Sequence, residues 1–332
     1  MRTKLFLSIL AVAIAPAFAQ TGTTKAKAVA APAAYKAPRT PDGVPDLQGV
    51  YSNSSAVPLE RAANLGAKEF YTDEELAAQA ARAAAPRTNG PGANVVGTTA
   101  DIHYDTSQFG LTRYLTDAMV NKRTSVLVGP TGRVPAMLPE ATKRQADARA
   151  LVAGKAFDGP ENRGIAERCI YWGSEGPPMM PVGYNANVQF VQGPGYVAIL
   201  QEMIHDVRII PTDGRAHAPS SIRQWFGDAV GKWEGDTLVV DTTNFNDLPP
   251  VGRGASRNLH VVEKFTKTGP ETLKYEFTVS DPSTWEQSWS GEYPMGKIDG
   301  AIYEYACQEG NYGMANILSG ARAEEKKAAA AK

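Results

Sequence analysis

The sequence predicts a mainly β protein: an antiparallel barrel with N-terminal helical and irregular elaborations. Three observations carry that reading. From residue 185 to about 318, short runs of alternating apolar and polar residues are each ended by a Gly- or Pro-containing turn. No amphipathic helix separates those runs, so nothing supplies the crossover that a parallel pair needs. Large aromatics concentrate in the same region, with Trp225, Trp233, Tyr275, Phe277, Trp285, Trp289 and Tyr293 among them. Inward-facing rings of that kind fill a barrel core or line a cavity for one small ligand, and both readings stay open.

Before the β region the chain changes character several times. Arg2 and Lys4, the apolar run Leu5–Ala15 and Ala17-Phe18-Ala19 form a signal peptide over residues 1–19, with cleavage near Gln20. The expected location is the periplasm or the exterior. No second apolar run is long enough to span a bilayer, so no membrane insertion is expected after cleavage. Residues 20–40 are rich in Ala, Thr, Lys and Pro and read as a flexible linker. A single β-rich domain is expected over 41–320, and a disordered or frayed tail over 321–332. "DLQGVYS" alternates Leu47, Gly49 and Tyr51 against Gln48 and Val50, a strand expected to join the later sheet. "YTDEELAAQAARAAA" opens with Thr72 three residues before Glu75, a capping box, and "RTNGPGAN" after Pro86 ends that helix. "TSVLVGPTGRVPAM" reads as a strand, a turn and an extended segment. "LPEATKRQADARALVAG" reads as a second helix, with Pro139 at its start and Gly154 at its end.

The β region then divides into hairpins. "NVQFVQGPGYVAILQEMIHDVRII" gives two strands around Gly-Pro-Gly. "SSIRQWFGDAVGKWEGDTLVVDTTNF" gives two more. "LHVVEKFTKTGPETLKYEFTVSD" is a hairpin with "TKTGPET" as its loop. "WEQSWSGEYPM" and "AIYEYACQEGNY" supply the last strands.

Composition excludes several function classes. Lys and Arg total 34 against 35 Asp and Glu, for a net charge of -1, and no basic stripe occurs. That balance argues against nucleic acid and against an anionic membrane surface. No nucleophile elbow, phosphate loop or dinucleotide fingerprint is present, and the four histidines show no metal-ligand spacing. Neither cofactor nor metal is therefore expected, and the expected partner is a small molecule. Export makes Cys169 and Cys307 a candidate disulfide, with free buried thiols as the rival. A loop of that length contributes at most ~4–5 kcal/mol by chain entropy.

The candidate site centres on "EMIHDVRIIPTDGRAH". Read as one continuous strand, it sets His205 on a face with Val197, Ile199, Gln201, Met203, Val207 and Ile209. Glu202, Asp206 and Arg208 fall on the other face. Buried charges need partners, so Asp206 and Arg208 pair as a structural ladder or border a polar pocket. In the first case His205 is a core histidine; in the second it exchanges protons while Arg208 holds an anion. The loop after the strand adds Arg215 and His217. His205, Asp206, Arg208 and His217 form the candidate catalytic set. Arg215, Trp225, Asp241, Thr243, Asn244, Tyr303, Tyr305 and Glu309 form the candidate ligand wall.

Motifs including "RTPDGVPDLQGVYSN", "EMIHDVRIIPTDGRAH", "GKWEGDTLVVDTTNF" and "YEYACQEGNYGM" resemble those of a large family of uncharacterised exported bacterial proteins. That resemblance covers most of the chain after residue 38 and implies no reaction. The C-terminal strand series is also similar in architecture to calycin (lipocalin-like) barrels. Two functions are expected from different classes. One is a cofactor-independent periplasmic enzyme using acid–base catalysis on a small aromatic or sugar-like molecule, as a lyase, isomerase or hydrolase. The other is a binding protein that holds a hydrophobic small molecule without turnover.

Overall fold

A computed structural model describes residues 35–55, 57–84 and 121–331. The expected signal peptide, most of the expected linker, the "RTNGPGAN" stop and His103 lie outside the described residues. Nine strands form one antiparallel sheet: β1 Gly49–Ser52, β2 Asn187–Gly193, β3 Tyr196–Gln201, β4 Val207–Pro211, β5 Asp228–Glu234, β6 Thr237–Thr243, β7 His260–Gly269, β8 Thr272–Ser280 and β9 Trp289–Lys297. Their order is β4-β3-β2-β1-β9-β8-β7-β6-β5. Every neighbouring pair is antiparallel, so the two outermost strands, β4 and β5, run the same way. They pack edge to edge without a ladder. A Cβ placed on Gly231 of β5 would lie 2.9 Å from Ile210 Cγ2 and 3.0 Å from Thr212 Cγ2. The sheet is thus a nearly closed barrel, as the hairpin series implied.

The hairpins follow the sequence closely. β5–β6 and β7–β8 form where expected, and β1 inserts between β2 and β9. Gly227, just before β5, has φ +71°, and a Cβ there would meet the Thr243 carbonyl oxygen at 2.4 Å. Only glycine allows the chain to enter β5 that close to the end of β6. α1 spans Asp73–Ala84, and its capping box is made: the Thr72 amide donates to Glu75 Oε2 at 2.8 Å and the Glu75 amide to Thr72 Oγ1 at 3.3 Å. α2 spans Pro139–Val152 with Pro139 in its first turn.

Three expected strands are corrected. "TSVLVGPTGRVPAM" makes only isolated bridges, Leu127 to Gly291 and Met137 to Trp285, because its Gly-Pro and Gly-Arg turns break any ladder. "AIYEYACQEGNY" adds no strand. It leads instead into α3, Tyr312–Ala330, capped by the Asn311 side chain. The stretch from Tyr196 to Ile210 is interrupted and forms β3 and β4 separately.

The interior is packed with rings. Phe190–Phe265, Phe265–Tyr275 and Tyr275–Tyr293 have centroids 5.3, 5.0 and 5.4 Å apart. These side chains are essentially inaccessible and stack on one another, which is the core reading of the aromatics. Cys169 and Cys307 form a disulfide with Cα atoms 5.7 Å apart, tying the segment before β2 to the segment after β9. The bridge fits a compartment outside the cytoplasm. No helix among the described residues is long and apolar enough to cross a membrane.

Candidate functional site: a polar barrel rim

Strand alternation gathers most of the candidate residues at one rim. There β1, β3, β6 and β8 end, and β2, β4, β5, β7 and β9 begin. The β3–β4 corner comes first. The chain reverses there, with the Gln201 amide donating to the Asp206 carbonyl at 2.9 Å. Ile204 and His205 both take left-handed backbone, φ 59° and 49°. For non-glycine residues this costs about 1–3 kcal/mol each. The reversal shifts the side-chain phase. Ile199 pairs with Arg208 across the hairpin, so both face inward while Val207 and Ile209 face solvent. The continuous-strand reading had placed Ile199 with Val207 and Ile209, on the face opposite Arg208.

His205 is consequently exposed rather than in an apolar stripe, and its Nδ1 lies 3.0 Å from the Tyr305 carbonyl oxygen. Asp206 Oδ1 accepts the Val207 amide at 2.7 Å. Burial raises the Asp206 pKa, against the opposing pull of that amide, His205 and Arg208. Two further carboxyls lie near this corner. Glu202 is buried, accepts the Asn187 amide at 3.1 Å, and is also pushed up by burial. Glu175 is 0% exposed, and burial pushes it to about 8, with the Trp172 amide opposing and Asp206 adding repulsion. Its Oε1 has no partner among the described residues.

Arg208 does not pair with Asp206. It points into the barrel, 5% exposed, and grips Glu263 of β7 with both ends of its guanidinium. Tyr275 donates to Glu263 Oε1 at 2.7 Å, and the Met179 amide donates to the Tyr275 oxygen at 2.8 Å. Burial, the largest single influence, lowers the guanidinium pKa; the Glu263 charge and its hydrogen bond, with Tyr275 and Asp206 adding to them, together outweigh it and raise the pKa. The alternation of β4 puts Arg208 inside, and the alternation of β7 puts Glu263 opposite. No local sequence feature joins the two.

Further round the rim, the loop after β4 folds over the starts of β5 and β7 and the end of β6. His217 Nδ1 lies 2.9 Å from Asp228 Oδ2, and its Nε2 lies 3.0 Å from Asp241 Oδ1. The second oxygen of Asp241 lies 2.8 Å from His260 Nε2. Asp228 is anchored behind them by the Ala218 amide at 2.9 Å and Arg215 at 3.1 Å. Burial pushes the Asp228 carboxyl up, but the Ala218 amide, the His217 ring and Arg215 together hold it below the usual range. The result is a line, Arg215–Asp228–His217–Asp241–His260. Asp228 is its buried member, Arg215 closes one end, and the other end is His260, whose Nδ1 has no partner among the described residues.

The other expected ligand residues scatter. Asn244 supports the loop by donating to the Ala218 carbonyl at 2.8 Å, and Thr243 pairs with Asp228 across β5–β6. Trp225 packs on Tyr171, with centroids 5.8 Å apart. Tyr303 is 75% exposed, and Glu309 is exposed on the segment beyond β9. Sequence reasoning missed Asp228, His260, Glu263 and Glu175. A signal existed for two of them, since Asp228 and His260 each open a strand whose polar start must meet the rim.

A cavity of about 530 Å³ lies between α2 and the β6–β7 connection. A smaller groove of about 190 Å³ crosses the outer face of β7–β9, past Thr278 and Val262, the latter two residues along β7 from His260. Among the described residues, no group of three or more His, Cys, Asp and Glu has the geometry to hold a metal ion. Comparison of the chain with protein-family models and with curated proteins gives no match.

Proposed function

We propose that the protein is exported to the periplasm, where it acts as an acid–base catalyst on a small polar molecule at this rim, with His260 as the proton-transferring group. One observation carries the reading: Asp241 is bonded to two imidazoles, and the outer one keeps a free nitrogen at the surface. An ionised carboxylate only accepts hydrogen bonds, so Asp241 fixes the His260 proton on Nε2 and turns the Nδ1 lone pair outward. When Nδ1 takes a proton, Asp241 stabilises the imidazolium that forms. His217 and Asp228 hold Asp241 in position, and Arg215 holds Asp228. The adjoining groove offers hydroxyl and charged groups, with Thr278 and Ser290 hydroxyls 2.8 Å apart, which suits a hydroxyl-bearing substrate. His205 acts as a tie to the segment at Tyr305 rather than as the base.

The test uses full-length protein against small sugar-like and aromatic carbonyl compounds in D₂O, with solvent exchange at carbon read by NMR. Chromogenic esters and glycosides extend the screen to hydrolysis. His260→Gln and Asp241→Asn should each cut turnover by about 10²–10⁴. Both residues are partly exposed, so the melting temperature should hold. Turnover that survives both substitutions would remove the relay from the chemistry.

A further inference from the structure

The cavity between α2 and the β6–β7 connection lies on the same rim but shares no residue with the histidine line. Its charges do not cancel. Asp247 is neutralised by Arg257, which meets both its oxygens at 2.7 and 2.6 Å. Arg253 is paired with Glu60 at 3.2 Å. Arg144 of α2 differs: its guanidinium is held by the Gly254 carbonyl at 3.1 Å, the Ser283 carbonyl at 3.4 Å and Thr284 Oγ1 at 3.0 Å. All of these acceptors are neutral. No carboxylate lies within ion-pair distance of Arg144 among the described residues, so a fixed cation faces the cavity without a counter-charge. An oriented guanidinium with spare N–H donors favours a planar carboxylate.

Gln145 and Ser256 add neutral polar groups, and the rest of the lining is mainly apolar. Leu248 is 52% exposed at the edge, beside Pro249 and Ala255. The Tyr171 ring closes one side, its hydroxyl already donating to the Leu248 carbonyl at 3.0 Å. Burial, with the Glu175 charge adding to it, raises the pKa of that phenol above its ordinary value. The loop itself is built at a cost: Gly252, Arg253 and Gly254 are consecutive left-handed residues, with φ 57°, 52° and 78°, and Arg253 is the non-glycine among them. That backbone brings the Gly254 carbonyl onto Arg144 and so sets the guanidinium. A volume of about 530 Å³ falls within the ~300–1,000 Å³ of small-molecule sites.

We infer that this cavity is a binding site for an amphipathic organic monoanion, a carboxylate carried on a body of one or two rings, with Arg144 reading the charge and Leu248, Pro249, Ala255 and Tyr171 covering the body. The inference does not rest on the histidine line being catalytic.

Calorimetric titration of the full chain with 2-naphthoate, its neutral amide and acetate tests it. Naphthoate should bind at least tenfold more tightly than naphthamide, and acetate should not bind. Arg144→Met should remove the preference for the anion, and Arg144→Lys should restore part of it. Because Arg144 also ties α2 to the loop, a second variant is needed. Leu248→Asp, at an exposed position, should weaken naphthoate at least tenfold and naphthamide much less. Equal affinity for acid and amide, an unchanged naphthoate affinity in Arg144→Met and Leu248→Asp, or no binding of either ring compound would overturn the assignment.

Discussion

Glu263→Gln gives the sharpest test of how the barrel carries its interior charge. Arg208 is 5% exposed and Glu263 is 0% exposed, and the guanidinium engages both carboxylate oxygens. Removing the negative charge leaves a desolvated cation with a neutral amide in place of its counter-ion. Breaking a buried pair from one side costs about 3–5 kcal/mol. For a domain of this size, about 2 °C of melting temperature per kcal/mol gives a fall of about 6–10 °C. The double variant Arg208→Met with Glu263→Leu removes both charges, leaves the Tyr275 hydroxyl short of one acceptor, and should recover most or all of the loss. Urea and thermal unfolding of both single variants and the double variant measure the coupling directly. A Glu263→Gln variant within about 1 kcal/mol of the parent would mean that the pair is not desolvated. A folded double variant that lost ligand affinity or turnover would return Arg208 to the site and refute the structural role.

Two further outcomes are expected. Glu175 keeps its proton up to about pH 8 in the folded protein, against an ordinary value of 4.5. The folded state therefore binds that proton more tightly. Its contribution to stability is fully present below about pH 4.5, is lost as pH rises toward about 8, and is flat above. Urea midpoints at several pH values should show Glu175→Gln flattening this slope; an identical slope in parent and variant would contradict the assignment. A fragment beginning near residue 160 lacks β1, which bridges β2 and β9, so it opens the barrel. It should show no cooperative melting transition, and a sharp one would show that the remaining strands suffice.

Local pattern was enough for what depends on neighbours in sequence. The period-two runs fixed five adjacent hairpin strands from Asp228 to Lys297, and Thr72 with Glu75 announced α1. Only two cysteines exist, so the expected export made their pairing the leading reading over free thiols, and the disulfide is present. Where the pattern failed at the candidate site, the cause was a turn with no turn residues. Nothing in "EMIHD" marks a reversal, because Ile204 and His205 accept left-handed backbone that Gly or Asn would ordinarily signal. The missed turn exchanged the faces of β4 and misplaced both His205 and Arg208.

The site itself was half legible. Arg215, His217, Asp241 and Asn244 could be named because they sit on one loop and one strand end. Their partners could not, since Asp228 and His260 reach them only through the β5–β6–β7 register. Arg208 and Glu263 meet only because the sheet curls and brings β4 and β7 across one interior. Sequence alone therefore determined the hairpin strands from Asp228 onward, the helix cap and the two cysteines available for a bridge, all set by local periodicity and chain chemistry. Tertiary structure alone decided which charges neutralise one another and which nitrogen stays free, because those depend on contacts between strands far apart in the chain.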